Sequence, residues 1–379
     1  MLINSYNLLS MHLTILKRKI LHNRPLLKRL IIRGASSVLI VGIFFLIVQA
    51  GTTLALVGLT PQTIGRLLFS SEIPLKNYQG KTNMVLLGMA GGTHAGADLV
   101  DTIIVATIDW QKKKIFLTSL PRDLWSDTLQ DKINTSYHYG VEKTNTHEGG
   151  IVLTKAIVEE LVGFPIHYFA RIEFSGFKEI VDAIGGVDVI VHPGFADEKY
   201  PIEGKEDDTC NGDKTFACRY ETVRFNEGRQ HLDGTRALQY VRSREAEGEQ
   251  GSDIARGVRQ QHVLLAVREK LSLGKTLFAF KRNQALWEIV HKATETDMSL
   301  SEIIGTGKFL IRLSKESLVS IPLPFEDFIA GKKGILINPP EYLFLNRWVL
   351  VPKNNDATLI PSYITCQIEE KSNCQTLYQ

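Results

Sequence analysis

Several shortages in the sequence narrow what it can be. Acidic residues are absent from the first 33 positions, which hold Lys17, Arg18, Lys19, Arg24, Lys28, Arg29 and Arg33. Charge of either sign is absent from residues 34–59, GASSVLIVGIFFLIVQAGTTLALVGL. About 20 apolar residues cross a bilayer, so this run reads as a transmembrane helix, and its lack of a polar face argues against a buried soluble helix. Basic residues before it place the N-terminus in the cytoplasm and everything after residue 60 outside. The length of the run suits an uncleaved anchor; a cleaved signal peptide is the alternative. Net positive charge is missing from the rest of the chain. Without those seven residues, the 44 Lys and Arg fall to 37, against 41 Asp and Glu. A body of that balance lacks the positive field that phosphate-backbone binding relies on, so no nucleic-acid partner is expected.

Cysteine is scarce too, with Cys210, Cys218, Cys366 and Cys374 alone in 379 residues. No Cys-x-x-Cys occurs and no histidines cluster beside them, which argues against structural zinc. In an extracytoplasmic setting two local disulfides, 210–218 and 366–374, are the simplest arrangement, although four cysteines allow three connectivities. There is no internal repeat and no low-complexity tract. The glycine-rich stretch GMAGGTHAGADLVDT (88–102) is not closed by Gly-Lys-Ser/Thr and lacks the dinucleotide-binding spacing, so it is neither a Walker A loop nor a Rossmann fingerprint.

What is present alternates strand and helix. MVLLG (84–88), TIIVATID (102–109) and KIFLTSL (114–120) are apolar at nearly every position, as suits strands covered on both faces. A helix is expected over 148–163, stopping at Gly163. A strand follows at 167–174, then a helix over 175–186 with Ser175 as cap, and a strand at 187–191. Residues 192–230 read as a polar surface excursion. Helices follow near 232–241, 254–272, 276–294 and 299–314, with a last strand around 345–352. This is an α/β fold with helices on the faces of a sheet. The expected boundaries are a basic N-terminus (1–33), the membrane helix (34–59), a linker (60–80), a main domain (81–355) and a C-terminal tail (356–379).

The chemistry gathers at strand ends. In TSLPRDLW (118–125), Pro121 stops a strand and leaves Arg122 and Asp123 at its C-terminal edge, where ligands sit in open α/β sheets. Arg242 and Arg244 lie in YVRSR; if that stretch is extended, they point the same way. Arg256 and Arg259 are three apart near the start of a helix beginning at Ser252-Asp253. Cations there oppose the helix dipole unless an anion docks between them. Arginine matches phosphate oxygens bidentately. The glycine-rich loop adds Asp98 and Asp101, and carboxylates beside such arginines suggest Mg²⁺ bridging to phosphate. Asp98 as a loop cap, and the arginines as partners of Glu245, Glu247 and Glu249, are the plainer alternatives.

The order GADLVDT, SLPRDLW, KINTSYHYG, GFKEIVDAIGGVDV, LDGTRALQYVRSR, DIARGVRQQ resembles the LytR-CpsA-Psr family over about residues 82–272. The resemblance implies an α/β/α layered domain with a central mixed sheet and an apolar lipid tunnel, preceded by one transmembrane helix. It implies a membrane-anchored, extracytoplasmic phosphotransferase using Mg²⁺. The enzyme would move a glycopolymer from a polyprenyl-pyrophosphate carrier to a peptidoglycan hydroxyl. Carried over by motif, Asp101 is the metal ligand, with Asp98 a candidate second. Arg122 is catalytic with Asp101, and Arg122, Arg242, Arg244, Arg256, Arg259 and Gln260 hold the pyrophosphate. Two departures stand out: Leu99 occupies a position where the family often has arginine, and MAGG lacks the acid that often follows the first strand. A non-catalytic polyprenyl-phosphate-binding regulator or scaffold, or a lipid pyrophosphate hydrolase, are the competing readings.

Overall fold

The structure is a computed structural model that describes residues 75–377 apart from Thr93, Ala95, 273–279, 327–330 and Lys332. The expected membrane helix, the basic segment before it and most of the linker lie outside the described residues. Among the described residues no helix is long and apolar enough to cross a membrane. The chain divides into two units, Met1–Ile73 with Ser299–Ile304, and Pro74–Met298 with Gly305–Gln379. Of the first, only 299–304 is described, helical from Leu300. The rest concerns the second.

Its centre is a six-stranded mixed sheet. The strands are β1 (Lys81–Met89), β2 (Val100–Asp109), β3 (Lys114–Leu120), β6 (Tyr168–Glu173), β11 (Thr294–Thr296) and β12 (Leu318–Pro322), in the order β11-β6-β1-β2-β3-β12. β2 runs antiparallel to both β1 and β3, whereas β6 joins β1 and β12 joins β3 in parallel. Two-residue strands β4 (Trp125–Ser126) and β5 (Asp131–Lys132) form a small hairpin after β3.

Apolar runs without alternation form strands here because each face has its own core. On one face Val85, Leu87, Ile103, Val105 and Phe116 pack with α1 (Ser136–Thr144) and α2 (His147–Val162) through Tyr137, Ile157 and Val158. Residues between them in sequence, Ile104, Ala106, Ile115 and Leu117, feed the opposite face with Leu313 and Leu264. Side chains of a strand alternate faces, so a strand between two apolar layers must be apolar throughout. α1 and α2 meet through glycine: a Cβ on Gly140 would lie 2.3 Å from the Gly149 carbonyl oxygen. Thr146 caps α2 by accepting from Gly149 N, and Gly163 ends it at φ 76°, as its sequence pattern implies.

α3 (Phe174–Ala183) starts one residue before the expected Ser175 cap, with Glu173 at the N-cap and no side-chain capping bond. The expected surface excursion is more ordered than its polarity implies. β7 (Val187–Val191) pairs with β10 (Gly228–Leu232), and β8 (Phe195–Pro201) pairs with β9 (Tyr220–Phe225). Val223 and Phe225 alternate with exposed residues and bury against Tyr200 and Tyr240 in a second core. That is the pattern of a half-buried strand, easily missed among charged neighbours. Then come α4 (Gly234–Arg242), α5 (Asp253–Ser272), α6 (Phe280–Ala293) and α7 (Leu300–Arg312). The expected strand at 345–352 shrinks to β14 (Val351–Pro352), paired with β13 (Leu336–Ile337).

Residues 356–377 do not trail away. Helix α8 (Leu359–Ile368) places Leu359, Ile360, Tyr363 and Ile364 in the main core. Both disulfides form as the spacing implied, Cys210–Cys218 and Cys366–Cys374. The second is buried in that core; the first closes an exposed turn between β8 and β9. Replacing Cys366 and Cys374 together with alanine is expected to cost about 2–4 kcal/mol of global stability, read by urea denaturation. The same change at Cys210 and Cys218 is expected to move the midpoint less, because that turn opens locally.

Candidate functional site

The register of β2 and β3 builds the centre of the site. Ile103 lies opposite Leu120. Two residues outward stand Asp101, still in β2, and Arg122, in the turn just past the end of β3. Their carboxylate and guanidinium form an ion pair. Pro121 ends β3 as its missing N–H requires, and its carbonyl accepts from Leu124 N at 3.1 Å to turn the chain. Asp123, buried just behind, takes Lys132 Nζ at 2.6 Å and faces Arg122 Nε at 3.5 Å.

Helix α5 brings in the distant residues. Ser252 Oγ accepts from Ala255 N at 3.2 Å, starting the helix where its sequence implied. Gly257 lets the first turns approach the end of β3; a Cβ there would stand 3.0 Å from Ser119 Cβ. Arg256, only 7% exposed, then borders the same cleft as Asp101, and so does Gln260, whose Nε2 donates to Thr102 Oγ1 at 2.9 Å.

Two larger cavities flank this cleft. One, of about 230 Å³, lies between the sheet and helices α3, α4 and α5, walled by Leu86, Ile104, Phe177, Val263 and Leu264. Thr102 and Gln260 border both it and the cleft. Arg242 and Arg171 are its cations. Arg242 stacks on Phe174 at 4.3 Å and on Tyr200 at 5.5 Å. Arg171 is tied to Glu295 at 2.8 Å and Glu173 at 3.2 Å. The other cavity, of about 430 Å³, is bordered by Arg122, Asp123, Lys132, Arg244, Glu245 and Trp348.

The expected arginines therefore divide. Arg256 borders the cleft with Asp101, whose carboxylate pairs with Arg122; Arg122 and Arg244 both border the larger cavity, and Arg242 sits at the apolar one. Arg242 and Arg244 do not share a direction, because α4 runs through Arg242 and only Ser243 turns extended. Arg259 points elsewhere. It is 2% exposed and donates to the carbonyls of Tyr240 (2.9 Å), Gln250 (2.9 Å) and Ser243, while stacking on Phe195 at 4.7 Å. Burial pulls its pKa down to about 10, so it stays charged at neutral pH. Burial, with Arg259 nearby, also lowers the pKa of His262. Asp98 is bonded to His138 Nδ1 at 2.7 Å. Among the described residues, the one group of three metal-ligating side chains within mutual reach is Asp208, Cys210 and Cys218, whose sulfurs are already joined.

Lys132, Arg171, His138 and Trp348 escaped the sequence reading. Arg171 carried a signal, an arginine set among Tyr168, Phe169, Ala170 and Ile172 in HYFARIEF. The others depend on contacts between distant segments.

The sequence model of the LytR_cpsA_psr family matches residues 62–344. The chain belongs to the LytR-CpsA-Psr family. Among curated relatives, the polyisoprenyl-teichoic acid–peptidoglycan teichoic acid transferase TagU of Bacillus mycoides (strain KBAB4) is 30% identical over 216 residues, 54% of this chain and 60% of that protein. TagV of Bacillus subtilis (strain 168), of the same description, is 25% identical over 247 residues, 64% of this chain and 56% of that protein. The chain thus spans less than two thirds of these relatives' length. The B. subtilis TagV crystal structure superposes with a TM-score of 0.53 at 21% identity, covering 77% of this chain and 99% of that one. A structure of TagT bound to LI-WTA gives 0.51 at 22%, covering 78% and 94%. These likenesses establish the mixed α/β fold.

Two arginine substitutions separate structure from site. Arg259→Met removes a buried set of hydrogen bonds and is expected to cost about 2–4 kcal/mol in urea denaturation. Arg122→Ala, at a partly exposed ion pair, is expected to cost about 1 kcal/mol or less.

Proposed function

We propose that this protein is a membrane-anchored phosphotransferase acting outside the cytoplasm. It takes a glycopolymer from a polyprenyl-pyrophosphate carrier and joins it to a peptidoglycan hydroxyl. One observation carries the reading: an apolar cavity beside the sheet shares a wall, Thr102 and Gln260, with a cleft bordered by Arg256 and Asp101. A ligand that fits both has a long hydrocarbon and a phosphate head. The relatives' names describe transfer from a polyisoprenyl carrier to peptidoglycan, which is the same chemistry. The uncharged run at 34–59 supports the anchor.

In this reading the hydrocarbon lies along Leu86, Ile104, Val263 and Leu264, with Arg242 at its border. Arg122 and Arg256 hold the pyrophosphate oxygens, and Gln260 orients them. Arg259 is assigned to structure: its donors hold the carbonyls that fix the loop carrying Arg244. An acceptor hydroxyl oxygen forms a bond to the distal phosphorus. The bridging P–O bond breaks, and polyprenyl monophosphate leaves with the electron pair. Asp123, which faces the larger cavity, is assigned the hydroxyl proton. The arginines neutralise charge that builds on the equatorial and leaving oxygens, where positioning and electrostatics do most of the work.

Mg²⁺ fits this donor set in a limited way. Asp101 offers a hard carboxylate at the cleft with one oxygen paired to Arg122, and Asp98 is engaged by His138. Magnesium is commonly held by one or two carboxylates, with phosphates and water completing its shell, so Asp101 with two phosphate oxygens would suffice. When bound, the ion would supply further charge neutralisation.

The deciding experiment incubates the purified full chain with a polyprenyl-pyrophosphate-linked glycopolymer and peptidoglycan, and follows attached polymer by mass spectrometry. Arg122→Ala is expected to lower transfer at least about 100-fold, and EDTA to remove it. Val263→Trp, which fills the apolar cavity, is expected to weaken carrier binding by about tenfold or more. Carrier binding without any product would leave a binding protein. Release of polymer into solution would make it a hydrolase.

A further inference from the structure

Trp348 is 42% exposed and follows the exposed Tyr342, Leu343 and Leu345, but unlike them it borders a cavity, and the backbone beside it is hydrogen-bonded. Arg347 is ion-paired to the buried Asp131, which also accepts from Tyr139 Oη at 2.7 Å. Asn338 Nδ2 donates to Val349 O at 2.8 Å, and Phe344 packs edge-on against Trp125 at 5.1 Å. Leu350 N donates to Asp123 O, and Trp125 N donates to Leu350 O, both at 2.9 Å. These last two bonds are a parallel bridge between Leu124 and Leu350. Two residues back along each chain lie Arg122, in the turn that Leu124 N closes on Pro121 O, and Trp348. Both border the 430 Å³ cavity.

That cavity has a distinctive lining. Leu323, Leu336 and Leu350 make its floor and Trp348 one wall, while Asp123, Lys132, Arg244 and Glu245 carry opposite charges around it. A lipid tail would meet too many ions there, and a polyanion would meet two carboxylates. A pyranose ring fits both kinds of surface. One face of the ring is C–H and lies flat on an aromatic plane, while its equatorial hydroxyls reach donors and acceptors at the edge. The volume lies within the usual range for small-ligand sites.

We infer that the Trp348 cavity is a saccharide subsite, which seats the acceptor glycan and presents its hydroxyl to Arg122 and Asp123. This deepens the transferase reading and rests on it for the acceptor's identity, but saccharide binding itself is independent of turnover. The rigid segment explains why an indole is kept exposed: a platform held in advance loses little entropy when a sugar docks.

The test titrates the full chain, in detergent and without any carrier lipid, with an uncharged β-1,4-linked N-acetylglucosamine oligosaccharide. Calorimetry and indole fluorescence read the binding. Trp348→Ala is expected to weaken oligosaccharide binding by about tenfold or more while polyprenyl phosphate binding stays as in the parent. Trp348→Tyr, which keeps an aromatic face, is expected to recover most of the loss, so that a folding defect is told apart from a lost platform. In transfer assays Trp348→Ala is expected to raise the acceptor KM more than it lowers kcat. Oligosaccharide affinity unchanged in Trp348→Ala, or no binding to the parent chain, overturns the subsite even if transfer is observed. Loss of binding to glycan-free phospholipid vesicles, with sugar binding intact, also overturns it and makes the segment a membrane contact. Saccharide binding that depends on Trp348 in a chain showing no transfer sustains the subsite and sinks the transferase reading instead.

Discussion

The pairing of Asp101 with Arg122 depends on one register, that of β2 against β3. A slip by one residue would exchange the two faces of β2. Ile103 and Val105 would leave the core beneath α1 and α2, and Ile104 and Ala106 would leave the core beneath α5. Both cores are apolar, so hydrophobicity alone would not forbid the exchange. Shape does: interiors pack at crystal-like density, and swapped volumes leave voids and clashes. The placement of the two charged groups is thus inherited from packing several residues away. Neither group has to supply the energy that holds them together.

The arginines show how one residue type takes separate roles according to burial. Arg259 lies under the loop joining α4 to α5 and ties the carbonyls of Tyr240, Ser243 and Gln250 to one planar cation. Asp197, almost wholly buried, holds the same loop from the other side, accepting from Arg244 N at 3.0 Å and Glu245 N at 3.4 Å. Arg244 is therefore positioned by a neighbour that itself reaches no cavity wall beside Arg122. A buried guanidinium facing backbone carbonyls has little left to offer an anion, since each of its donors has a fixed direction. Arg256, one turn earlier, leaves the helix on the sheet side and arrives at the cleft.

Local signals were legible in the sequence wherever they were sufficient by themselves. The strands at 102–109 and 114–120, the helix stop at Gly163 and the near-neighbour disulfides each follow from a handful of adjacent residues. Pro121 announced the strand end that carries Arg122. What stayed hidden required knowledge of partners. YVRSR reads equally as helix end or strand, and the packing of Ala237 and Tyr240 into the second core holds the helix through Arg242. Asp98 was legible as a carboxylate beside the arginines, but its bond to His138, forty residues on, was not. Trp348 lay in a segment expected to be a strand, where an aromatic would count as core. Its significance came from the cavity it shares with Arg122, set by the Leu124–Leu350 bridge that no local pattern encodes.

The two cavities lie against different cores, and that has a mechanistic consequence within the proposed function. Leu86, Ile104 and Leu264, which wall the apolar cavity, belong to the core on the α5 face of the sheet. Leu323, Leu336 and Leu350, which floor the Trp348 cavity, belong to the core on the opposite face. Asp101 and Arg122 sit where β2 and β3 end, between them. An in-line displacement needs the attacking oxygen and the leaving oxygen on opposite sides of phosphorus. A carrier arriving from one face and an acceptor from the other would meet at the strand ends in that relation. The sheet edge would then separate the two substrates as well as hold the charged pair. Exchange of their positions would be resisted by chemistry, since hydrocarbon is excluded from the ion-lined cavity and hydroxyls from the apolar one.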